Sequence, residues 1–219
     1  MTVFLGLYAF VITTVVGVSL GVAAAVRKRS GVDRGIVGFS VVAVSMPAFV
    51  TGIILLYLLA VRVSWFPAFG PGSGFSDRLV HLTLPAIALA LTQAALVLKL
   101  TRASMIEALD QDYVAFARAR GLATWRVLFT YAFRNALIPV VTASAMILAY
   151  LLTGAVLVEV TFALPGLGSL LVDSVGQKDV TTVQGLALVV AATVMVANLL
   201  TDILYMFLDP RIRLGRGSS

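Results

Sequence analysis

The chain alternates between long apolar runs and short polar interruptions. Five runs approach or exceed the roughly 20 residues needed to cross a bilayer as a helix. They lie at about 3–26, 36–60, 82–101, 135–160 and 183–207. The pattern predicts an all-α, polytopic transmembrane bundle of five spans in a single domain, 1–219. The interruptions are "RKRSGVDR" (27–34), a Gly-, Pro- and aromatic-rich stretch at 61–81, a long basic passage at about 102–134, "TFALPGLGSLLVDSVGQKDVTT" (161–182) and the tail "DPRIRLGRGSS".

Composition agrees with this reading. The chain has 219 residues, of which 60% are hydrophobic and 12% charged, against about half and about a quarter in soluble domains. The first apolar run lacks a basic flank and is too long for a signal-peptide core of about 7–15 residues. It reads as a span.

The net charge of +6 does not indicate nucleic acid. Thirteen of the 16 basic residues fall in the first interruption, in or beside the basic passage, and in the tail; only Arg62, Arg78 and Lys178 fall on the other side. Basic residues collect on the cytoplasmic face. The C-terminus is therefore expected in the cytoplasm and residue 1 outside. There is no cysteine, so thiol chemistry is excluded. The single histidine, His81, has no second His or Cys to form a metal site or a Ser–His pair.

Within the spans, Pro47 ("SMPAF") and Pro85 ("TLPAI") are expected to kink or unwind the helix. Small residues recur in "GVSLGVAAA" and "TASAMILAYLLTGA" and permit close helix approach. Trp65 and Phe66 suit the membrane–water boundary. Three polar residues stand out near span ends. Asn198 and Asp202 are four residues apart and share a helix face; they read as a structural pair near the cytoplasmic end. Glu159 reads as a boundary carboxylate near water, with contact to a transported substrate as the rival.

The basic passage predicts a helix over "SMIEALDQDYVAFARAR", with Tyr113, Phe116 and Ala117 forming a stripe beside Arg118 and Arg120. Gly121 is placed to end that helix with positive φ. Thr124 is placed to cap a second helix, "WRVLFTYAFRNALIP". Physical reasoning leaves two occupants open for this surface, anionic lipid and a soluble protein.

The layout resembles the membrane subunit of ABC importers, type I in architecture. In that family a cytoplasmic loop carries Glu-Ala-Ala, three residues, Gly, nine residues, then Ile-x-Leu-Pro. Aligned on Gly121, the glycine and the second alanine (Ala117) match, while Ala115 and Phe116 replace the Glu and first Ala, and Tyr131, Phe133 and Arg134 occupy the later positions. The dipeptide/oligopeptide type carries a variant similar to "DY…ARA.GL…RV…..RNA.IPV". Asp112, Tyr113, Ala117, Arg118, Ala119, Gly121, Leu122, Arg126, Val127, Arg134, Asn135, Ala136, Ile138, Pro139 and Val140 fit it. "GVDR", "SMPAF", "WFPAFG", "LTLPAIAL", "LPGLGSLLVDSV" and "NLLTDILYMFLDPRI" extend the likeness over nearly the whole chain. It is most like the B-type half of a heterodimeric pair, starting at that family's second span.

This resemblance implies a permease subunit in the inner membrane of a prokaryote, working by alternating access. Its partners would be a homologous second permease subunit, two ATPase subunits, an extracytoplasmic binding protein and membrane lipid. The chain has no phosphate-binding G-x-x-x-x-G-K-[ST] sequence, so ATP and Mg would belong to the ATPase chains. The coupling loop would comprise Asp112, Tyr113, Phe116, Ala117, Arg118, Arg120, Gly121 and Leu122, with Tyr113 and Phe116 as apolar anchors. Relatives of the type import peptides, nickel complexes, glutathione or sugars. A self-sufficient channel or secondary transporter would need charged or polar groups at mid-bilayer and often internal repeats. An intramembrane enzyme would need paired catalytic groups. The spans carry neither pattern.

Overall fold

The computed structural model describes residues 1–208, without the side chains of Ser144, Ala145, Leu200, Thr201, Asp202 and residues 204–208. The tail arginines and the side chain of Asp202 therefore lie outside the described residues. Among these residues every regular element is helical. They are α1 (Thr2–Val26), α2 (Gly31–Ser45), α3 (Ala48–Leu55), α4 (Gly74–Leu109), α5 (Asp112–Ala119), α6 (Thr124–Arg126), α7 (Arg134–Thr161), α8 (Leu167–Gly176) and α9 (Val180–Leu208). Wider-wound π-helical turns extend α3 through Leu56–Arg62 and join α6 to α7 through Val127–Phe133.

Helix α1 lies along α4, and the reason is visible in its residues. Leu5, Ala9, Thr13, Gly17 and Gly21, spaced by four, are buried, while Val3, Leu7, Val11 and Val15 are exposed. The buried stripe is mostly small and the exposed stripe is large and apolar, as lipid requires. A Cβ on Gly17 would stand 2.6 Å from Val97 Cβ, and one on Gly21 2.6 Å from Thr101 Cβ. The second small-residue stretch behaves differently: a Cβ on Gly154 would meet Leu89 only at 3.6 Å, an ordinary contact.

The two expected proline effects differ. Around Pro47 the chain breaks: Met46 is extended, and Gly31–Ser45 meets Ala48–Arg62 at 106°. Proline has no N–H to give to the carbonyl four residues back, which is that of Ala43. The Thr92 hydroxyl of α4 reaches that carbonyl at 3.4 Å and that of Met46 at 3.2 Å. By contrast, α4 runs through Pro85 without interruption. The 36 residues of α4 make it about 54 Å long, so it extends beyond the expected span of 82–101 at both ends. The "GFSDRLVH" that precedes that span is helical rather than loop.

Three helices, α1, α4 and the Val180–Leu199 part of α9, are long and apolar enough to cross a membrane singly; two bent pairs raise the number to as many as five. The larger core cluster joins α1, α4 and α7 around Leu5, Leu84, Leu89, Val97, Leu151 and Phe162. A second cluster sits at the charged end. It unites Ala25, Met105, Ala108, Val114, Ala117, Val127, Ala132 and Ala136, and it places α5.

Candidate functional site: the α4–α5 loop and the α7–α8 cap

The expected continuous helix over 104–120 is divided. α4 ends at Leu109, Gln111 is extended with φ −79° and ψ 151°, and α5 starts at Asp112. The end of α5 follows the expected pattern. Gly121 has φ +73°. Its N–H donates to the Arg118 carbonyl at 2.9 Å, and that of Leu122 to the Ala117 carbonyl at 3.3 Å. These two bonds form a Schellman motif, which satisfies carbonyls the helix leaves open. Leu122 also packs on the cluster that holds Ala117. The cap of the next helix is Ala123, with no side-chain bond, and Thr124 is its first helical residue rather than its cap.

The expected Tyr113–Phe116–Ala117 stripe is not the buried one. Val114 and Ala117 face inward, since they too satisfy helical spacing and pack against Met105 and Ala108. Phe116 is 72% exposed. The Tyr113 hydroxyl accepts from Asn135 Nδ2 at 3.3 Å, so Tyr113 partly braces α5 against α7. Asp112, Arg118 and Arg120 are exposed. A cleft of about 380 Å³ opens beside Tyr113, lined by Glu107, Gln111 and Asn135 among others.

Sequence reasoning passed over several residues here. Trp125 is 62% exposed, with the Arg126 guanidinium 5.6 Å from its ring centroid, and Phe129 is exposed as well. An Arg–Trp pair beside the Gly121 turn was the available signal. Asp33 and Arg102 form a bidentate pair, with Arg102 Nε donating to Oδ1 at 2.6 Å and Nη2 to Oδ2 at 2.8 Å. The guanidinium bonds and the Arg29 N–H hold the Asp33 carboxyl down at about 2. Nothing local in the sequence pairs residues 69 apart.

At the other end of α7, Glu159 corrects an expectation. It is fully buried rather than wet, because α8 returns directly over it. Its Oε2 accepts from the N–H of Gly168 at 2.8 Å and of Ser169 at 3.2 Å. Thr2 Oγ1 accepts from Leu167 N at 2.8 Å, and Ser169 Oγ from Gly166 N at 3.0 Å. All four open donors at the start of α8 are thus satisfied. The glycines are required by proximity: a Cβ on Gly166 would lie 2.2 Å from the Glu159 carboxylate, and one on Gly168 2.4 Å from Val156 Cα. Asn198 lies exposed on α9 and makes no contact with Glu159 among the described bonds.

Residues 17–214 match the family described as the binding-protein-dependent transport system inner membrane component. The chain belongs to that family. Its members are transporter subunits rather than enzymes. The chain is 42% identical over 217 residues to a putative peptide transport system permease protein of Brucella abortus, covering 97% of this chain and 69% of that one. A putative peptide permease protein of Brucella suis is 39% identical over 207 residues, covering 92% of this chain and 65% of the relative. The oligopeptide transport system permease protein AppB of Bacillus subtilis is 38% identical, covering 96% and 68%. The chain thus spans about two thirds of the length of these relatives. A solved chain of the MetNI methionine ABC transporter, inward facing, superposes with TM-score 0.75 at 14% identity, covering 95% of this chain and 93% of that one. An amino acid ABC transporter gives 0.62 at 20%. At such identities the likeness is one of fold alone.

Proposed function

We propose that this permease carries dipeptides or oligopeptides inward, and that α5 with the Gly121 turn is the element through which ATPase subunits drive it. The peptide reading is supported by the names of relatives near 40% identity. The observation that carries the coupling reading is the division of labour in α5. Val114, Ala117 and Leu122 fasten the helix to the bundle, while Phe116, Arg118 and Arg120 are left outward. A large exposed aromatic next to two cations is the composition of a protein-contact hot spot. Coupling further requires contacts that differ between the two states of the ATPase, and a short helix closed at its C-terminal end by the Gly121 motif and seated on the bundle by Val114 and Ala117 can transmit such differences. In this assembly a homologous second permease subunit forms the pathway jointly with this chain, two ATPase subunits hold ATP and Mg, and a binding protein delivers substrate outside. The charged end of the bundle and the C-terminus face the cytoplasm, with five membrane crossings counting each bent pair as one.

The test is reconstitution of the whole transporter in proteoliposomes with its binding protein and ATP. Phe116→Ala and Gly121→Asp are expected to reduce ATP-dependent peptide uptake at least about tenfold, the loss typical of a 1.4 kcal/mol or larger hot spot. Purification of an intact complex without an ATPase, or full uptake by both variants, would rule the coupling reading out.

A further inference from the structure

We propose that the loop between α1 and α2 is a strut for the α4–α5 joint, and that Asp33 and Arg102 are the positioning residues which make α5 and the membrane helices move as one body. The inference rests on the coupling reading above. Its starting point is a mechanical difficulty. Along the chain α5 is joined to α4 only by Asp110 and Gln111, and a two-residue linker between helices can bend under a push.

The α1–α2 loop meets that joint from the other side. Arg102 lies on α4 two turns before its end and grips Asp33 with two parallel bonds. Such a fork fixes orientation as well as distance. Asp33 is only 4% exposed, and its remaining capacity is filled from its own loop. Its Oδ2 accepts from Arg29 N at 2.9 Å, and its N–H donates to Ser30 Oγ at 3.2 Å. Arg29 sits at φ +66°, a conformation non-glycine residues keep only where neighbours hold it. One residue earlier, Lys28 Nζ is 3.2 Å from Asp110 Oδ2, on the linker itself. That second pair is exposed on both sides and adds little alone, so the strut depends on Asp33 and Arg102. Ala25, at the end of α1, closes the triangle by packing in the same cluster as Met105, Val114 and Ala117.

The experiment uses the complete transporter with its binding protein and ATPases, in proteoliposomes, with tritiated trialanine as probe. Asp33→Asn and Arg102→Gln are expected to lower uptake per ATP hydrolysed about fivefold or more, the low end of usual coupling factors, while ATP hydrolysis persists. Arg102→Lys, which keeps the charge but not the fork, falls between. An unchanged ratio in both single variants, including one left unchanged because hydrolysis and uptake fall equally, overturns the strut. A second readout does not depend on the substrate. The chain has no cysteine, so with any cysteines of the other subunits replaced, nitroxide labels at Val32 and Ala115, both exposed, report the loop-to-α5 distance alone. A strut keeps that distribution narrow and equal with and without ATP, and Asp33→Asn broadens it. A distance that changes with ATP in the unaltered protein, or that Asp33→Asn leaves narrow, refutes the strut. If ATP hydrolysis has no effect on uptake while the distances behave as described, the coupling reading fails and the strut stands.

Discussion

Replacing Glu159 by alanine should release the first turn of α8. The side chain occupies a site without solvent and supplies the acceptor for two backbone donors, Gly168 N and Ser169 N. Each buried donor left without an acceptor costs about 1–3 kcal/mol, so the local opening of α8 should become easier by about 2–6 kcal/mol. Glu159→Gln keeps an oxygen in the same place and loses mainly the favourable interaction of a carboxylate with a helix N-terminus, about 0.3–2 kcal/mol. Gly168→Ala attacks the same cap from the other side. Its Cβ would need to move about 1 Å away from Val156 Cα to reach ordinary contact, which would stretch the 2.8 Å bond to Glu159 beyond hydrogen-bond length. The assay is amide hydrogen exchange of residues 166–170 in the purified complex, since exchange reads local opening. With a factor of ten per 1.4 kcal/mol, Glu159→Ala should accelerate exchange by about 30-fold or more, and Glu159→Gln by about 2- to 30-fold. Exchange within about threefold of the unaltered protein in Glu159→Ala would show that the first turn of α8 is held by something other than this carboxylate.

Thr92→Val should lower the thermal midpoint of the purified protein through loss of about 1–2 kcal/mol, whereas Thr92→Ser should not; equal midpoints for Val and Ser would remove the hydroxyl from the account of the Pro47 break. Gly121→Ala meets no atom within 4 Å, so its cost is the backbone strain of φ +73° alone, about 1–2 kcal/mol, and an unaltered unfolding midpoint would contradict the Schellman geometry. The folded-state value of about 2 for Asp33 lies below its ordinary 3.8. The Asp33–Arg102 link is therefore fully present above pH 4 and is lost as pH falls towards 2. Carboxyl carbon NMR of the solubilised protein should find a midpoint near 2, and one at or above 3.8 would count against the pairing.

Helices were easy to read from this chain because a lipid environment leaves the backbone few other ways to satisfy its hydrogen bonds. Their ends were harder. The segment "GFSDRLVH" is polar enough to pass for loop, yet it continues α4 as a helix that Asp77 caps by accepting from Ser73 N at 2.6 Å. At "LDQD" no glycine or proline announces the break before α5. The stripe on α5 was ambiguous in principle: Tyr113–Phe116–Ala117 and Val114–Ala117 both satisfy helical spacing. Only the tertiary packing against Met105 and Ala108 decides that the smaller pair turns inward. Glu159 was misread because a carboxylate near a span end is usually wet. Its burial follows from the two glycines of "PGLGS", which let α8 close over it. The Gly121 turn needed no tertiary information, since a helix that ends on glycine carries its geometry locally.

The bend at Met46–Pro47 also bears on how the protein meets bilayers of different thickness. A straight span answers a thicker membrane by standing more upright. The α2–α3 pair has a second response, because two segments of 15 residues each meet at 106° over a single threonine hydroxyl. Opening that angle changes the height of the pair while both segments keep their internal hydrogen bonds. The α1–α4 pair, locked along its length by Gly17 and Gly21, has no such freedom. Lipid chain length should therefore shift the angle at Pro47 and leave the α1–α4 distance constant, and spin-label distances in short- and long-chain nanodiscs would separate this from a uniform tilt.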